Sequence, residues 1–433
     1  MKKLFLLIVL IQNLISTSFS QSSIYVDFSS YKNTKKVVVK KDFGDVVNSF
    51  VEDFFSNVSN DIIPGIVVSE DYWKKAKQIL STGKNTLLDN NMDQSIGLLQ
   101  KLQEKMFRGY ISQIKCSYLT IDQNGKELRA SGKLYLPKFG IIKGIIIANH
   151  YTIGSNREAP SENFCFEAVF ATKGYAVLMA DYIGYGLTKD KIHPYLHLQS
   201  TAQSVVDLAL CVRGYLNSLN RDLASDEIIL VGYSQGGAVT LGVQQLMEKE
   251  YASDFKIKHV YAGAGPYDIA STYDYCINKD ETGIPCAIPM IVQGLNEGDN
   301  LELSMEYFFQ KKILENYDEW INSKLYTVNS INILIGENRL TKILTQEAQD
   351  KTLEKTSIIY DSMVRNSIIN WKPKSPVFLF HSTTDDMVPF INSKNLKKSF
   401  DDQGVEFVSD FSDYGSHMVA AVEFMKKVYE DLD

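Results

Sequence analysis

A serine stands in the pentapeptide Gly232-Tyr-Ser234-Gln-Gly236, directly after an apolar run at 227–231 and directly before a helix-forming stretch. A serine hydroxyl acts as a nucleophile when a neighbouring base removes its proton. On a sharp strand-to-helix turn, glycines two residues before and after the serine let the backbone pass, and the helix N-terminus behind it can stabilise an oxyanion. The pattern predicts Ser234 as a nucleophile. The alternative is a strand–helix turn in which the hydroxyl has no role.

The position of each histidine narrows the choice of base. On a sheet of this type the acid and the base follow the serine in the order serine, acid, histidine. His417 lies in a turn between the last apolar run and the last amphipathic stretch, which suits a mobile base, so we predict His417. A surface or helix-capping histidine is the alternative. The other histidines precede the serine, begin the following strand, or precede the best acid, and they are His150, His193, His197, His259 and His381.

The acid that orients the base is expected after the apolar run at 376–380. Two adjacent carboxylates, Asp385 and Asp386, follow that run in the sequence Asp385-Asp-Met-Val-Pro389. The pattern D-x-x-V-P at the end of a strand favours Asp385 over Asp386. Asp385 would hold the imidazole in one tautomer and stabilise the imidazolium that forms during reaction.

Short apolar runs alternate with longer amphipathic stretches through most of the chain after residue 111. Such runs are typical of strands buried on both faces, and the alternation predicts an α/β fold with a mostly parallel sheet flanked by helices. Two alternating segments around Asn124-Gly125 predict a hairpin ahead of them. The predicted hairpin strands are 113–121 and 127–136, the later strands are 144–149, 175–180, 227–231, 258–262, 376–380 and 405–411, and the helices are 199–219, 238–249 and 417–430.

Two regions depart from this alternation. Residues 21–110 are mostly polar, with helical apolar periods at 46–55 and 73–80, and predict a helical N-terminal extension without evident chemistry. At about 271–372 the rhythm stops and helices and turns follow, which predicts a helical cap inserted into a domain that spans 111–433.

The first twenty residues have the pattern of a secretory signal peptide. Lys2 and Lys3 precede an apolar run at 4–15, and small polar residues follow up to a plausible cleavage point between Ser20 and Gln21. An uncleaved anchor is the alternative, but a spanning helix needs roughly twenty apolar residues. We predict export, to the medium or to a periplasmic or cell-envelope compartment.

Composition excludes several classes of protein. The chain has 433 residues, 45% hydrophobic and 22% charged, with a formal charge of −7 and a pI near 5.5. These values are typical of globular proteins and argue against a disordered chain or a nucleic-acid binder.

Of the five cysteines, Cys276 and Cys286 lie ten residues apart in a turn-rich stretch and are the best candidate disulfide. None has zinc-ligand spacing, so no metal site is predicted.

These residues together resemble the α/β-hydrolase superfamily, and within it the secreted lipase and esterase branch. The resemblance covers about residue 113 to the end of the chain. Three further segments are similar to motifs of that branch, and they are Asn149-His-Tyr-Thr152, Asp181-Tyr-Ile-Gly-Tyr-Gly186 with His193-Pro-Tyr-Leu-His197, and Gly263-Ala-Gly-Pro-Tyr-Asp268.

The resemblance implies an oxyanion hole built from two backbone N–H groups. One belongs to the residue after the nucleophile, Gln235, and the other to the loop after His150. Thr152 is the first choice for the second donor and Tyr151 the next, because Tyr151 stands where the family usually has glycine. No metal and no organic cofactor are implied.

The sequence therefore predicts an exported serine hydrolase that cleaves carboxylic esters through an acyl-enzyme. Two alternatives stay open, namely a secreted serine peptidase or aminopeptidase on the same fold, and a catalytically inactive hydrolase used as a binding module. The expected partner is a small-molecule or lipid ester, with transient lipid-surface contact through the cap, no nucleic acid and no evident protein partner. The apolar cap segment 284–295 is either cap core or the lining of an acyl-chain site.

Overall fold

A mostly parallel β-sheet forms the centre of the protein. The computed structural model describes residues 24–27, 70–82, 91–107, 109–219 and 223–432. The strands in these ranges are β1 Ile24–Asp27, β2 Ile111–Ile121, β3 Glu127–Pro137, β4 Ile145–Asn149, β5 Ala176–Ala180, β6 Glu227–Tyr233, β7 Lys256–Gly263, β8 Val377–Ser382 and β9 Phe407–Ser412. Their order is β1-β2-β3-β5-β4-β6-β7-β8-β9, and among them only β2–β3 and β3–β5 are antiparallel. The predicted α/β fold is confirmed.

Helices cover both faces of this sheet, as the apolar strands require. Successive side chains of a strand point to opposite faces. Accordingly Ile145 and Ile147 of β4 belong to one apolar core, while Ile146 and Ala148 belong to the other. The described α-helices are α1 Glu70–Thr82, α2 Asn91–Phe107, α3 Leu198–Ser218, α4 Gln235–Glu250, α5 Ile269–Lys279, α6 Ala287–Gly298, α7 Lys311–Tyr317, α8 Val328–Ile335, α9 Leu340–Ile343, α10 Glu354–Asn366, α11 Ile391–Asp402 and α12 His417–Asp431.

The two faces carry different helices. Helices α3, α4 and α11 contribute to the core on one face of the sheet. Helix α12, the short 3₁₀ segment Phe166–Lys173 and the N-terminal helices α1 and α2 contribute to the core on the other face. The N-terminal helices are therefore packed onto one face of the sheet.

The cap has an apolar core of its own. Between β7 and β8 the described chain forms helices α5 to α10 and no strand. Their buried side chains form a separate cluster, which includes Ile288, Val292 and Leu295 of α6. The cap is thus a packed unit and not a loose loop.

The N-terminal region differs from its prediction in one respect. Ile24–Asp27 is a strand, although a helical pattern was expected from about this point, and it pairs in parallel with β2. A free sheet edge presents unpaired N–H and C=O groups, which a short extended segment can satisfy whatever its helical preference. The predicted helix at 46–55 and the predicted signal peptide at 1–20 lie outside the described residues. No described helix is long and apolar enough to span a bilayer.

The predicted pairing of Cys276 with Cys286 is wrong. All five cysteines are free thiols and all are buried. Cys276 lies in α5 and Cys286 directly precedes α6, and both pack within the apolar core of the cap. Proximity along a turn-rich stretch indicated a disulfide, whereas in the structure each thiol packs as a small apolar group.

Candidate active site

The predicted nucleophile occupies a strained turn between β6 and α4. Ser234 has φ of 61° and ψ of −129°, a conformation rare for residues other than glycine. Its backbone N–H donates to the Gly263 carbonyl at 2.9 Å, which fixes the turn to the end of β7. Strain of this kind persists only where the surroundings hold it, and it concentrates at functional sites. The turn holds Ser234 at the carboxyl end of β6.

Two glycines make this turn possible, as the sequence pattern requires. A Cβ on Gly232 would collide with the Gly236 carbonyl, and a Cβ on Gly236 would collide with the Asn149 carbonyl at the end of β4. The backbone of the turn therefore lies directly against the neighbouring strand.

We expect Gly236→Ala to lower the free energy of unfolding by about 3 kcal/mol, because the added methyl group meets immobile backbone. Urea unfolding of the purified parent and variant proteins measures this decrease. Gly242→Ala, in the same helix, is the matched control: its Cβ would make only an ordinary 3.4 Å contact with Leu198, and alanine is favoured over glycine by about 1 kcal/mol in a helix interior. Equal effects of the two substitutions would contradict the close approach at Gly236.

The predicted acid and base are in direct contact. His417, the first residue of α12, has its Nδ1 atom 2.6 Å from Asp385 Oδ2. Asp385 Oδ1 accepts hydrogen bonds from the backbone N–H groups of Met387 and Val388, at 2.9 and 2.8 Å. Asp386 contacts His417 differently, since its Oδ1 accepts from the His417 backbone N–H at 2.9 Å. Asp385 therefore orients the ring, and Asp386 holds the start of the helix.

A second histidine lies against the same carboxylate. His381 Nε2 is 3.3 Å from Asp385 Oδ2, and His381 Nδ1 is 2.7 Å from Ser393 Oγ. Burial alone would raise the pKa of Asp385, but His417 and His381 outweigh it and hold that pKa well below its usual value. Asp385 is thus ionised at neutral pH. The sequence analysis set His381 aside because it precedes the acid, and its spacing of four residues from Asp385 was the available signal.

The loop after β4 presents the predicted second oxyanion donor. His150 Nδ1 lies 2.6 Å from the Tyr151 carbonyl oxygen, and burial lowers the pKa of His150 to about 4, so the neutral ring donates this hydrogen bond. In a trans peptide the N–H points opposite to the C=O, so the Thr152 N–H is directed away from His150. Thr152 Oγ1 also bonds the Tyr195 hydroxyl at 2.8 Å. These contacts fix the peptide that joins Tyr151 to Thr152.

Both predicted donor groups are unoccupied by the protein itself. The backbone N–H groups of Thr152 and Gln235 donate to no other residue of the described chain. Gln235 opens α4, where the first N–H groups of a helix have no partner within the helix. Tyr151, Thr152, Ser234, Gln235 and His417 all line the same cavity. Two free donors thus lie in one cavity with the serine and the histidine.

An aromatic stack links the loop after β4 to the start of α4. The Tyr182 ring stacks on His150, with centroids 3.9 Å apart, and lies nearly parallel to His193 at 6.2 Å. Burial lowers the pKa of His193 to about 3, so its ring is neutral. Its Nδ1–H donates to the Ile183 carbonyl at 2.7 Å, and its Nε2 accepts from the Gln235 side-chain amide at 3.1 Å. One stack therefore holds both the Tyr151–Thr152 loop and the Gln235 side chain.

Neither Tyr182 nor His193 was predicted from the sequence to have a role of its own. The signal that could have found them was the similarity of their two segments to motifs of the esterase branch. Among the described residues no group of three histidine, cysteine or acidic side chains is arranged to hold a metal ion.

The cavity has a volume of about 800 Å³ and a mostly apolar lining. Ligand sites for small molecules range from roughly 300 to 1,000 Å³. The cap segment 284–295 contributes to both the cavity and the cap core, since Ile284, Ala287 and Ile291 line the cavity and Ile288 and Leu295 belong to the cap core. The cavity is large enough for an organic substrate beside Ser234.

A buried carboxyl group with a raised pKa lies in the cavity wall. Glu167 is 8% exposed, and burial raises its pKa to about 7 from the usual 4.5. Between pH 4.5 and about pH 7, the Glu167 carboxyl group is protonated in the folded protein but ionised in the unfolded chain. The free energy of unfolding should therefore fall as pH rises, by about 3 kcal/mol in total.

We expect Glu167→Gln to remove this component of the pH dependence, because glutamine does not titrate. Thermal or urea unfolding between pH 4.5 and pH 7.5 measures it. Glu162→Gln is the control, since the Glu162 side chain is 44% exposed and should leave the profile of the parent protein unchanged. A Glu167→Gln profile that still falls as steeply as the parent would contradict the burial argument.

Solved structures identify the fold of this protein. The rice cell wall degrading esterase LipA of Xanthomonas oryzae superposes with a TM-score of 0.63 at 20% identity, over 77% of this chain and 93% of LipA. Candida antarctica lipase A superposes with a TM-score of 0.58 at 14% identity, over 76% of this chain and 80% of that protein. At such low identity the likeness concerns the fold, which is the α/β-hydrolase fold.

A sequence comparison identifies the family. The model of the secretory lipase family matches residues 162–427, and the chain belongs to this family. The secreted triacylglycerol lipase LIP5 of Malassezia furfur is 23% identical over 202 residues, which make up 43% of this chain and 48% of LIP5. The chain therefore spans about half the length of this curated relative. The resemblance to the secreted lipase and esterase branch is confirmed.

Proposed function

We propose that this protein is an exported carboxylic-ester hydrolase in which Ser234, His417 and Asp385 form the catalytic triad. The observation that carries the proposal is the 2.6 Å contact between His417 Nδ1 and Asp385, in a cavity that Ser234 also lines. A ring that donates its Nδ1–H to a carboxylate has only Nε2 left to accept a proton, which is the tautomer that a general base needs. The nucleophile turn supplies the activated serine.

The first half of the reaction forms an acyl-enzyme. His417 Nε2 takes the proton of the Ser234 hydroxyl as its oxygen attacks the ester carbonyl carbon. The backbone N–H groups of Gln235 and Thr152 donate to the oxyanion that develops, and the ionised Asp385 stabilises the imidazolium. His417 then gives its proton to the leaving alcohol as the C–O bond breaks.

The second half repeats these steps with water. His417 Nε2 takes a proton from a water molecule, whose oxygen attacks the acyl carbon, and the same two N–H groups hold the second oxyanion. When the bond to Ser234 Oγ breaks, His417 returns the proton to this oxygen and the carboxylic acid leaves. The sequence of steps needs no metal and no organic cofactor.

Ester cleavage is supported over amide cleavage by the family. The family to which the chain belongs is one of lipases, and LIP5 is a triacylglycerol lipase.

Initial rates on two substrate classes test the proposal. We expect purified protein to hydrolyse p-nitrophenyl butyrate and to leave alanine and proline p-nitroanilides uncleaved. A fluorophosphonate probe should label one residue, and peptide mass spectrometry should identify it as Ser234. Anilide cleavage without ester cleavage would move the protein to the peptidases, and labelling elsewhere would overturn the assignment of the nucleophile.

Export is part of the same proposal. It is supported by the signal-peptide pattern and by the membership of the chain in a secretory family. N-terminal sequencing of protein recovered outside the producing cells should begin at Gln21, and recovery only inside the cells would contradict it. Contact of the cap with a lipid surface stays a prediction.

A further inference from the structure

We propose that the N-terminal helices α1 and α2 enclose the acyl-chain site of the enzyme, so that residues of these helices set the length of chain that it accepts. This inference rests on the proposed ester hydrolysis. It assigns a role in substrate selection to a segment in which the sequence showed no chemistry. The segment at 70–107 also lies outside the part of the chain that the family model matches.

One wall of this site is the face of α12 that begins at the catalytic histidine. Met418, Ala421, Val422 and Met425 all line the cavity. Their spacing of three, four and seven residues puts them on one face of the helix. At 1.5 Å per residue, the distance along the helix from His417 to Met425 is about 12 Å. The apolar wall therefore leads away from His417 over two turns of helix.

The opposite wall comes from the N-terminal helices. Trp73, Ala76 and Leu80 of α1 line the same cavity at spacings of three and seven residues, and Ile96 and Leu99 of α2 do so at a spacing of three. Ala76 is 1% exposed and Leu99 is 2% exposed. Both side chains are therefore packed among their neighbours at the wall of the cavity.

These walls are fixed to each other. The ring of Trp73 packs on that of Tyr429, with centroids 5.7 Å apart, and Lys77 forms an ion pair with Glu423, so that α1 is bound to α12 at two points. Polar side chains also reach this part of the cavity: the Gln103 amide donates to the Tyr72 hydroxyl at 2.5 Å, and Glu167 lies in the cavity wall. Most of the cavity-lining side chains on the three helices are nevertheless aliphatic or aromatic.

An unbranched acyl chain fits this geometry. The wall that the three helices form is mostly apolar, belongs to the same cavity as Ser234 and leads away from the reacting atoms. Each methylene group that moves from water into such a site favours binding by about fourfold. An alcohol such as glycerol would gain nothing there, because its hydroxyl groups would lose their hydrogen bonds with water.

Narrowing the site tests this assignment. We expect Ala76→Phe and Leu99→Phe each to lower the ratio of kcat/KM for p-nitrophenyl palmitate to that for the butyrate by about tenfold, the equivalent of nearly two methylene groups. Leu98→Phe is the matched control, since Leu98 is the neighbour of Leu99 on the same helix and is 58% exposed. An unchanged ratio in both narrowing variants, with butyrate still hydrolysed, would overturn the inference and leave ester hydrolysis intact.

A binding measurement separates this inference from the proposed catalysis. Palmitate should raise the Tm of Ser234→Ala protein, which cannot turn over ester, and Ala76→Phe in the same background should abolish the shift while Leu98→Phe preserves it. A shift that survives Ala76→Phe, or no shift in Ser234→Ala protein, would refute the site between the helices. Loss of ester turnover in the parent protein would instead refute the proposed function.

Discussion

Ser234→Ala should lower kcat/KM for p-nitrophenyl butyrate by about 10⁵-fold, because alanine offers no oxygen to form the acyl-enzyme. The remaining rate would come from water attacking a carbonyl that the Gln235 and Thr152 N–H groups still polarise. Initial rates of the purified variant measure the effect. Titration with a fluorophosphonate probe shows that no parent enzyme contaminates the preparation.

Two further variants show whether the loss of activity is specific to the nucleophile. Ser218→Ala changes an exposed serine at the end of α3 and should retain the parent rate. Ser234→Ala combined with His417→Ala should be no slower than Ser234→Ala alone, since nucleophile and base act as one unit. A decrease of only tenfold in Ser234→Ala, or a further large decrease in the double variant, would show that another group is the nucleophile.

Asp385→Asn should lower kcat by about 10⁴-fold with little change in KM. The neutral amide can donate its N–H to His417 Nδ1, which would put the ring proton on Nε2 and leave no base for Ser234. The imidazolium would also lose the buried negative charge 2.6 Å away that stabilises it. Steady-state kinetics of the purified variant test this.

Asp386→Asn is the matched control for this substitution. The two carboxylates are adjacent in sequence, but Asp386 contacts only the backbone N–H of His417, a bond that the asparagine oxygen can also accept. We therefore expect a decrease of tenfold or less, on the order of one neutral hydrogen bond. Equal losses in both variants would mean that the loop as a whole is required, and a larger loss in Asp386→Asn would reverse the assignment of the acid.

The candidate triad could be predicted because each of its members has a local signature. Ser234 lies between a strand and a helix that are adjacent in sequence, and its two glycines are needed by the turn itself. Asp385 and His417 each follow a strand of the sheet, and the carboxyl ends of parallel strands meet at one edge. The order of these segments along the chain was therefore enough to predict all three residues at one edge of the sheet.

The groups that support the triad could not be predicted in the same way. The stack of His150, Tyr182 and His193 joins three loops, and its contact with Gln235 spans 42 residues. None of these pairs has a characteristic spacing, because side chains that meet through tertiary packing are free to come from any part of the chain. Composition and periodicity carry no information on such contacts.

What the amino-acid sequence by itself determined is the alternation of elements, the strained serine turn and the order of acid and base, since each depends on interactions within a few tens of residues. Only the tertiary structure decided that Cys276 and Cys286 pack as separate thiols, that residues 24–27 add a strand to the sheet edge, and that α1 and α2 line the cavity beside α12. The reason is physical. Burial and edge pairing depend on which surfaces meet after folding, and an apolar face shows that a helix will pack without showing what it will pack against.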